Sequence, residues 1–312
     1  MVRGARSNKE ARRRAANCFW ACITASVFLA SASAAELASA ASASAAELAS
    51  AAPPTSAAAA EDELSAEIDL DAVPTGEILL LPGRKFPLDL AGGGLQIHGT
   101  PLFVRELPNT GLGTAFTVWD GSIVLAKHLE HAYASGLGGK RVLELGAGTG
   151  VVGLAASMLG ADVLLTDLPV ALDNLRAGVR LNARAAKGAP VEAHALDWFA
   201  PERSQAAWPD AARSIARGAD LVVGADIVWV PELIAPLVRT LRFVADQRAQ
   251  GSAPLLVLIA HQTRSRSSDA TLFRELKAAR FAAAALPRSA HHPRFSDADI
   301  EILEIRDEAG AE

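Results

Sequence analysis

Residues 140–160, KRVLELGAGTGVVGLAASMLG, constrain the fold of this chain more than any other stretch. KRVLEL (140–145) reads as a buried strand and breaks into Gly146-Ala147-Gly148-Thr149-Gly150. It resumes at once as an apolar segment, 151–159, closed by Gly160. A strand that turns this abruptly into a helix needs glycine in the turn. The alternation then continues. ADVLLTD (161–167) reads as a strand, and Pro169 opens a helix to about Ala186. PVEAHAL (190–196) and DLVVGAD (220–226) are strands, PELIAPLVRTLRFVADQ a helix, PLLVLIAH (254–261) a fifth strand and DATLFRELKAA a helix. FAAAAL and DIEILEI close the chain as two strands without a long helix between them. This order predicts an α/β, Rossmann-like sheet of seven strands, mostly parallel with an antiparallel edge and with helices on both faces. Upstream, EILLL (77–81) and LQIHG (95–99) read as short strands between turn signals, a small N-terminal β segment. Asp120 can cap a helix whose apolar side includes Val124, Leu125, Leu129, Ala132 and Tyr133.

The first seventy residues are of another kind. Residues 1–14 are basic, with Arg3, Arg6, Lys9, Arg12, Arg13 and Arg14 against Glu10. An apolar run from Cys18 to Ala34 ends in the small-residue step Ala32-Ser33-Ala34. This is the order of a secretory signal, and an Arg-rich organelle transit peptide or an over-extended start fits it too. The run is short and diluted by Ser and Ala, which argues against a stable membrane span. SASAAELASAA then occurs twice, at 31–41 and 42–52, and ends at Pro53-Pro54. We read four regions: a targeting segment (1–34), an Ala/Ser-rich linker (35–74), an N-terminal β extension (75–116) and the main domain (117–312). The 312 residues hold two cysteines, Cys18 and Cys22, so no thiol chemistry or cysteine zinc site belongs to the main domain. Beyond residue 74 acids and bases nearly balance, which leaves no strong field to attract a nucleic acid.

The glycine turn suggests a ligand. A nicotinamide fingerprint, G-x-G-x-x-G, would need its third glycine at 151, and here it stands at 150. The G-x-G-x-G spacing, with Glu144 two residues before Gly146, points to S-adenosylmethionine (SAM). An acidic strand end suits its cationic amino-acid moiety better than a pyrophosphate. A tight structural turn is the plain alternative. Asp167 ends the next strand, where an acid can accept hydrogen bonds from both ribose hydroxyls or cap the helix at Pro169. Trp119, Trp198 and Trp229 each fall at a strand or helix edge beside the expected crevice. One alone is more often core packing; three suggest a site.

At these residues the chain resembles methyltransferase family 16, the seven-β-strand class I SAM-dependent protein-lysine methyltransferases, which include the valosin-containing-protein lysine methyltransferase. The resemblance lies in TVWDGSIVLAKHLE (117–130), GKRVLELGAGTGVVGLAASMLGADVLLTDLP (139–169), ALDWF (195–199) and DLVVGADIVW (220–229). It implies SAM as cofactor and a lysine of a protein substrate as acceptor, with another protein side chain, a small amine or a non-catalytic SAM-fold binding module as the alternatives. It implies a cytoplasmic setting, against the secretory or organelle targeting that residues 1–34 suggest. It implies that Trp119 walls the cofactor near its methionine end, that Gly146, Ala147 and Gly148 pass under it, and that Asp167 holds the ribose. Asp197 and Trp198 would face the adenine and Ala225 would touch the cofactor. Asp226 and Trp229 match the family's D-x-x-Y motif beside the acceptor lysine, with Trp in place of Tyr. Trp keeps a π-face for an ammonium but loses the acceptor oxygen.

A lysine must be neutral to attack, and a neighbouring carboxylate opposes that. Asp226 therefore reads as an orienting acceptor, and otherwise as a cap for the helix entering at Pro231. No histidine set has zinc spacing. His128 and His131 read as packing or surface, and His291-His292 as a solvated loop. His261 ends the fifth strand near the crevice rim, a weak substrate contact. Arg264 and Arg266 form a basic loop there, either solvated or a partner surface.

Overall fold

A computed structural model describes Phe86 and residues 95–107, 114–199, 214–215, 218–249 and 252–308. The expected targeting segment, the linker and the strand at 77–81 lie outside the described residues. Nine strands and five α-helices are described. β1 (Leu95–Ile97) and β2 (Thr100–Leu102) form an antiparallel hairpin. α1 (Asp120–Ala132) leads into β3 (Arg141–Leu145), α2 (Val151–Met158), β4 (Asp162–Asp167), α3 (Leu172–Asn182) and β5 (Glu192–Ala195). β6 (Leu221–Ala225), α4 (Ile234–Asp246), β7 (Leu256–His261), α5 (Arg266–Ala278), β8 (Phe281–Ala285) and β9 (Glu301–Asp307) follow. The seven-stranded sheet has the order β5-β4-β3-β6-β7-β9-β8. Its strands are parallel except β9, which runs antiparallel to both β7 and β8. The antiparallel pairing thus occupies the expected edge, with β9 inside it and β8 outermost.

The central strands β3, β4, β6 and β7 are buried on both faces, which is why their sequences are rich in apolar residues. Alternation assigns the faces. Val142, Val163, Leu165, Leu221 and Val223 join one core with α1 and α2, whereas Leu143, Leu145, Leu164, Val222 and Val257 join another with α4 and α5. The hairpin belongs to the first core through Leu95, Ile97 and Leu102. Its turn is clamped to α1 by polar contacts. Lys127 Nζ donates to the Gln96 carbonyl (2.5 Å) and to Glu130 Oε2 (2.6 Å), and Glu130 Oε1 accepts the His98 N–H. The end of α3 holds the hairpin's exit, where Asn182 accepts from the Phe103 N–H (2.9 Å) and donates to its carbonyl (2.8 Å).

Chain direction reverses between β3 and β6. From β3 the chain steps outward to β4 and β5, then returns to the other side of β3 to lay down β6. The crevice at the carboxyl ends of these two strands is where open α/β sheets bind ligands. No helix among the described residues is long and apolar enough to cross a membrane.

Candidate active site

The loop after β3 forms the floor of this crevice. Gly146, Gly148 and Gly150 all have positive φ, at 61°, 54° and 79°. At Gly148 a second constraint applies, because a Cβ would stand 3.1 Å from the Ala115 carbonyl oxygen. Backbone alone fits between the loop and the turn at 114–116. Ala147 is buried, and its N–H donates to the Thr166 carbonyl (2.9 Å), which ties the loop to β4. A Cβ on Gly146 would lie 2.8 Å from Ile227 Cγ2 and 3.5 Å from the Trp198 ring. That indole therefore stands directly beside the glycine floor, packed against the second core.

Asp167, at the end of β4, reaches across to the same loop. Its Oδ2 accepts the Gly148 N–H (2.6 Å) and its Oδ1 the Leu168 N–H (2.7 Å). Burial lifts its carboxyl above the usual range, against the pull of those two amides. Asp167 does not cap the turn at Pro169, where Leu168 holds the capping position. Glu144 faces inward. It is 2% exposed on the α1/α2 face, and its Oε2 accepts the Gly153 N–H in the first turn of α2 (2.7 Å). Burial, with a smaller push from Asp167, raises its pKa to about 8 against two helical N–H groups. Asp197 Oδ1 accepts the Phe199 N–H (3.0 Å) and so shapes the turn that carries Trp198. Trp119 occupies the N-cap position of α1, where Asp120 had been expected, and its Nε1 donates to the Thr114 carbonyl (3.1 Å). Asp120 is the first helical residue and its Oδ1 accepts the Phe86 N–H (3.2 Å).

The other wall begins where β6 ends. Ala225 is its last residue, paired with Ala260 of β7. Strand alternation would send the next side chain to the α4 face, with Val222. Asp226 instead has φ 54°, a left-handed conformation uncommon outside glycine. This turns its carboxylate towards the first turn of α1, where Oδ2 accepts the Gly121 N–H (3.2 Å). Asp226 thus caps α1 and leaves the turn at Pro231 to Val230. Burial raises its pKa, opposed chiefly by the Arg264 guanidinium and then by the Gly121 amide and His261. Trp229, three residues on, is partly exposed.

Two contributors, Gly121 and Arg264, were not read from the sequence as site residues, and His261 was read only as a weak substrate contact. Gly121 follows the Trp119-Asp120 pair, yet only the fold reveals that a side chain there would strike Asp226 Oδ2. Arg264 faces Asp226 at 3.7 Å. His261, 3% exposed, is fixed by Asp269 (Nε2 to Oδ1, 2.9 Å). Among the described residues no group of three or more His, Cys, Asp or Glu side chains is arranged to hold a metal ion.

A family model described as lysine methyltransferase matches residues 99–279. The chain belongs to the lysine methyltransferase family. It is 40% identical over 135 residues to the protein N-lysine methyltransferase METTL21A of Danio rerio, which covers 43% of this chain and 57% of that protein. It is 33% identical over 211 residues to EEF1A lysine methyltransferase 3 of Mus musculus, covering 67% and 79%. The chain thus spans less than two thirds of the METTL21A relative and more than three quarters of the other. Among solved structures, a magnesium protoporphyrin IX methyltransferase from Synechocystis with bound SAM aligns over 60% of this chain and 79% of its own, at a TM-score of 0.39 and 14% identity.

Proposed function

We propose that this chain transfers a methyl group from SAM to the ε-amine of a lysine in a protein substrate. The observation that carries this reading is the placement of Asp226. A carboxylate in a strained backbone conformation follows the end of β6, one strand over from the glycine floor. The floor suits SAM in its donor set: Asp167 keeps acceptor lone pairs beyond the two amides that it holds. Gly146, Ala147 and Gly148 would lie under the cofactor, with Trp119, Trp198 and Asp197 as walls, Asp167 at the ribose and Ala225 at the strand end. Glu144 would act from below, by setting the first turn of α2. When bound, SAM supplies an activated methyl group on a sulfonium.

This chain's own residues bind, orient and exclude water. Asp226 orients the acceptor amine, and the Trp229 face covers its apolar stem and cation. Neither removes the proton in this reading; a neutral amine is reached by loss of the proton to water.

The test uses full-length protein, tritiated SAM and a total protein extract, with recombinant EEF1A, named in the second relative, run alongside. Mass spectrometry should place the label on lysine. Calorimetry should show binding of SAM and S-adenosylhomocysteine and none of NAD. Label confined to another residue type, or binding of NAD in place of SAM, overturns the proposal.

A further inference from the structure

We infer that Arg264 is a positioning residue that acts through Asp226: its guanidinium offsets the carboxylate's charge, so that Asp226 can orient the incoming lysine without trapping it as an ammonium. The inference rests on the reading of Asp226 as the acceptor-side carboxylate.

Both oxygens of Asp226 already have positive neighbours. Oδ2 takes the Gly121 N–H at the amino end of α1, and Oδ1 lies 3.7 Å from Arg264 Nη2. The loop that carries Arg264 is tied down on its near side. Asp269, in the first turn of α5, accepts His261 Nε2–H on one oxygen and the Thr263 hydroxyl on the other (2.9 and 2.7 Å). Arg264 emerges directly from this tie. A further hydroxyl pair, Ser265 with Ser267 (2.8 Å), follows it. The arrangement aims a charged side chain at a buried carboxylate from the end of the neighbouring strand.

The chemistry gives that charge a purpose. A free lysine loses its proton near pH 10.4. A carboxylate within reach raises that value further, whereas a cation beside the carboxylate lowers it. The groups that face Asp226 are Asp120 and the Gly121 N–H from α1, His261 with its partner Asp269 from β7 and α5, and Arg264 from the loop between them. Of these, Arg264 alone brings a guanidinium cation. Its contact with Asp226 is too long for a hydrogen bond, and its side chain is 36% exposed against 10% for Asp226. An amine can therefore enter beside it.

The test follows turnover from pH 6.5 to 10 with the full chain, saturating SAM and a saturating amount of the protein whose lysine is labelled in the extract experiment. In Arg264→Gln the acid limb of kcat should move up by about one pH unit, the effect of one lost neighbouring charge. Arg264→Lys restores a cation at a contact that is not bidentate, and should hold the limb within about 0.3 unit of wild type. Calorimetry should give both variants wild-type affinity for S-adenosylhomocysteine. An unmoved limb in Arg264→Gln, or an equal loss at every pH, overturns the inference. Asp226→Asn separates the layers. Full turnover in that variant, or no labelled lysine in the extract, removes the reading beneath. Lost turnover there, with an unmoved limb in Arg264→Gln, removes only the role of Arg264.

Discussion

Asp226 combines burial, a left-handed backbone and a helix-capping contact in one residue. A capping acid alone needs no strained φ, because Ser, Asp or Asn at an N-cap position does the same work in extended backbone. The strain is better accounted for by the need to aim a carboxylate into the crevice. Asp226→Ala should therefore cut methyl transfer about 10- to 100-fold, an orienting hydrogen bond of about 1–3 kcal/mol, while SAM affinity stays within a few-fold. Full turnover in that variant would reduce Asp226 to a cap. Trp229→Tyr tests the neighbouring position. It returns an acceptor oxygen beside the amine, and with lysine as acceptor it should keep or raise kcat. A fall on the native substrate would mean that the indole serves a different acceptor. Both residues were legible in the sequence because they stand at the end of a strand. The direction of Asp226 was not, since a positive φ at a non-glycine residue breaks the alternation on which such a reading relies.

At the scale of elements, α1 does two jobs. Its buried side, with Ile123, Val124, Leu125 and Leu129, anchors the first core, and its first turn presents Gly121 to Asp226. A Cβ at Gly121 would collide with the carboxylate. Gly121→Ala is favourable for an isolated helix by about 1 kcal/mol, yet here it should lower kcat at least about 10-fold by displacing Asp226. Thermal melts and calorimetry with SAM are expected to show a folded, cofactor-binding protein. Wild-type turnover in this variant would show that the contact is incidental. The same element shows what the sequence makes readable. Its extent follows from apolar spacing, and the strands follow from buried runs and glycine punctuation. Which residues meet at its ends depends on the order β3-β6-β7, set by long-range pairing that no local pattern encodes. His291 is the clearest failure. Two adjacent histidines before a proline read as a solvated loop, yet His291 is 3% exposed, and its ring lies 6.3 Å from that of His128. Its burial comes from the chain between β8 and β9 packing back onto α1, where His128 Nδ1 donates to the Ala290 carbonyl (3.1 Å).

For the whole molecule, two buried groups pull stability in opposite directions with pH. His128 is 4% exposed, and burial lowers its pKa from 6.5 to about 4. Between those values the unfolded chain takes up a proton that the folded one refuses, so stability is complete above about pH 6.5 and is lost on the way down to 4. Glu144 is the reverse case, raised from 4.5 to about 8. The folded protein keeps its proton where the unfolded chain has released one, so stability is complete below about pH 4.5 and is lost as pH rises through 8. Each pH unit within a window is worth about 1.4 kcal/mol. From about pH 4.5 to 6.5 the two slopes cancel. Of the two, Glu144 alone acts from 6.5 to 8, and removes about 2 kcal/mol. Glu144→Gln can still accept the Gly153 N–H but does not titrate. Its urea-unfolding free energy should be level from pH 6.5 to 8, where that of wild type falls by about 2 kcal/mol, and should climb by about 2–3 kcal/mol from pH 4.5 to 6.5 as the uncancelled His128 slope emerges. His128→Leu should show the opposite, a steady decline from pH 4.5 to 8. A Glu144→Gln curve parallel to wild type across pH 6.5–8 would mean that Glu144 is ionised in the folded protein. The first turn of α2, and with it the glycine floor, would then rest on a buried charge and not on a protonated acid.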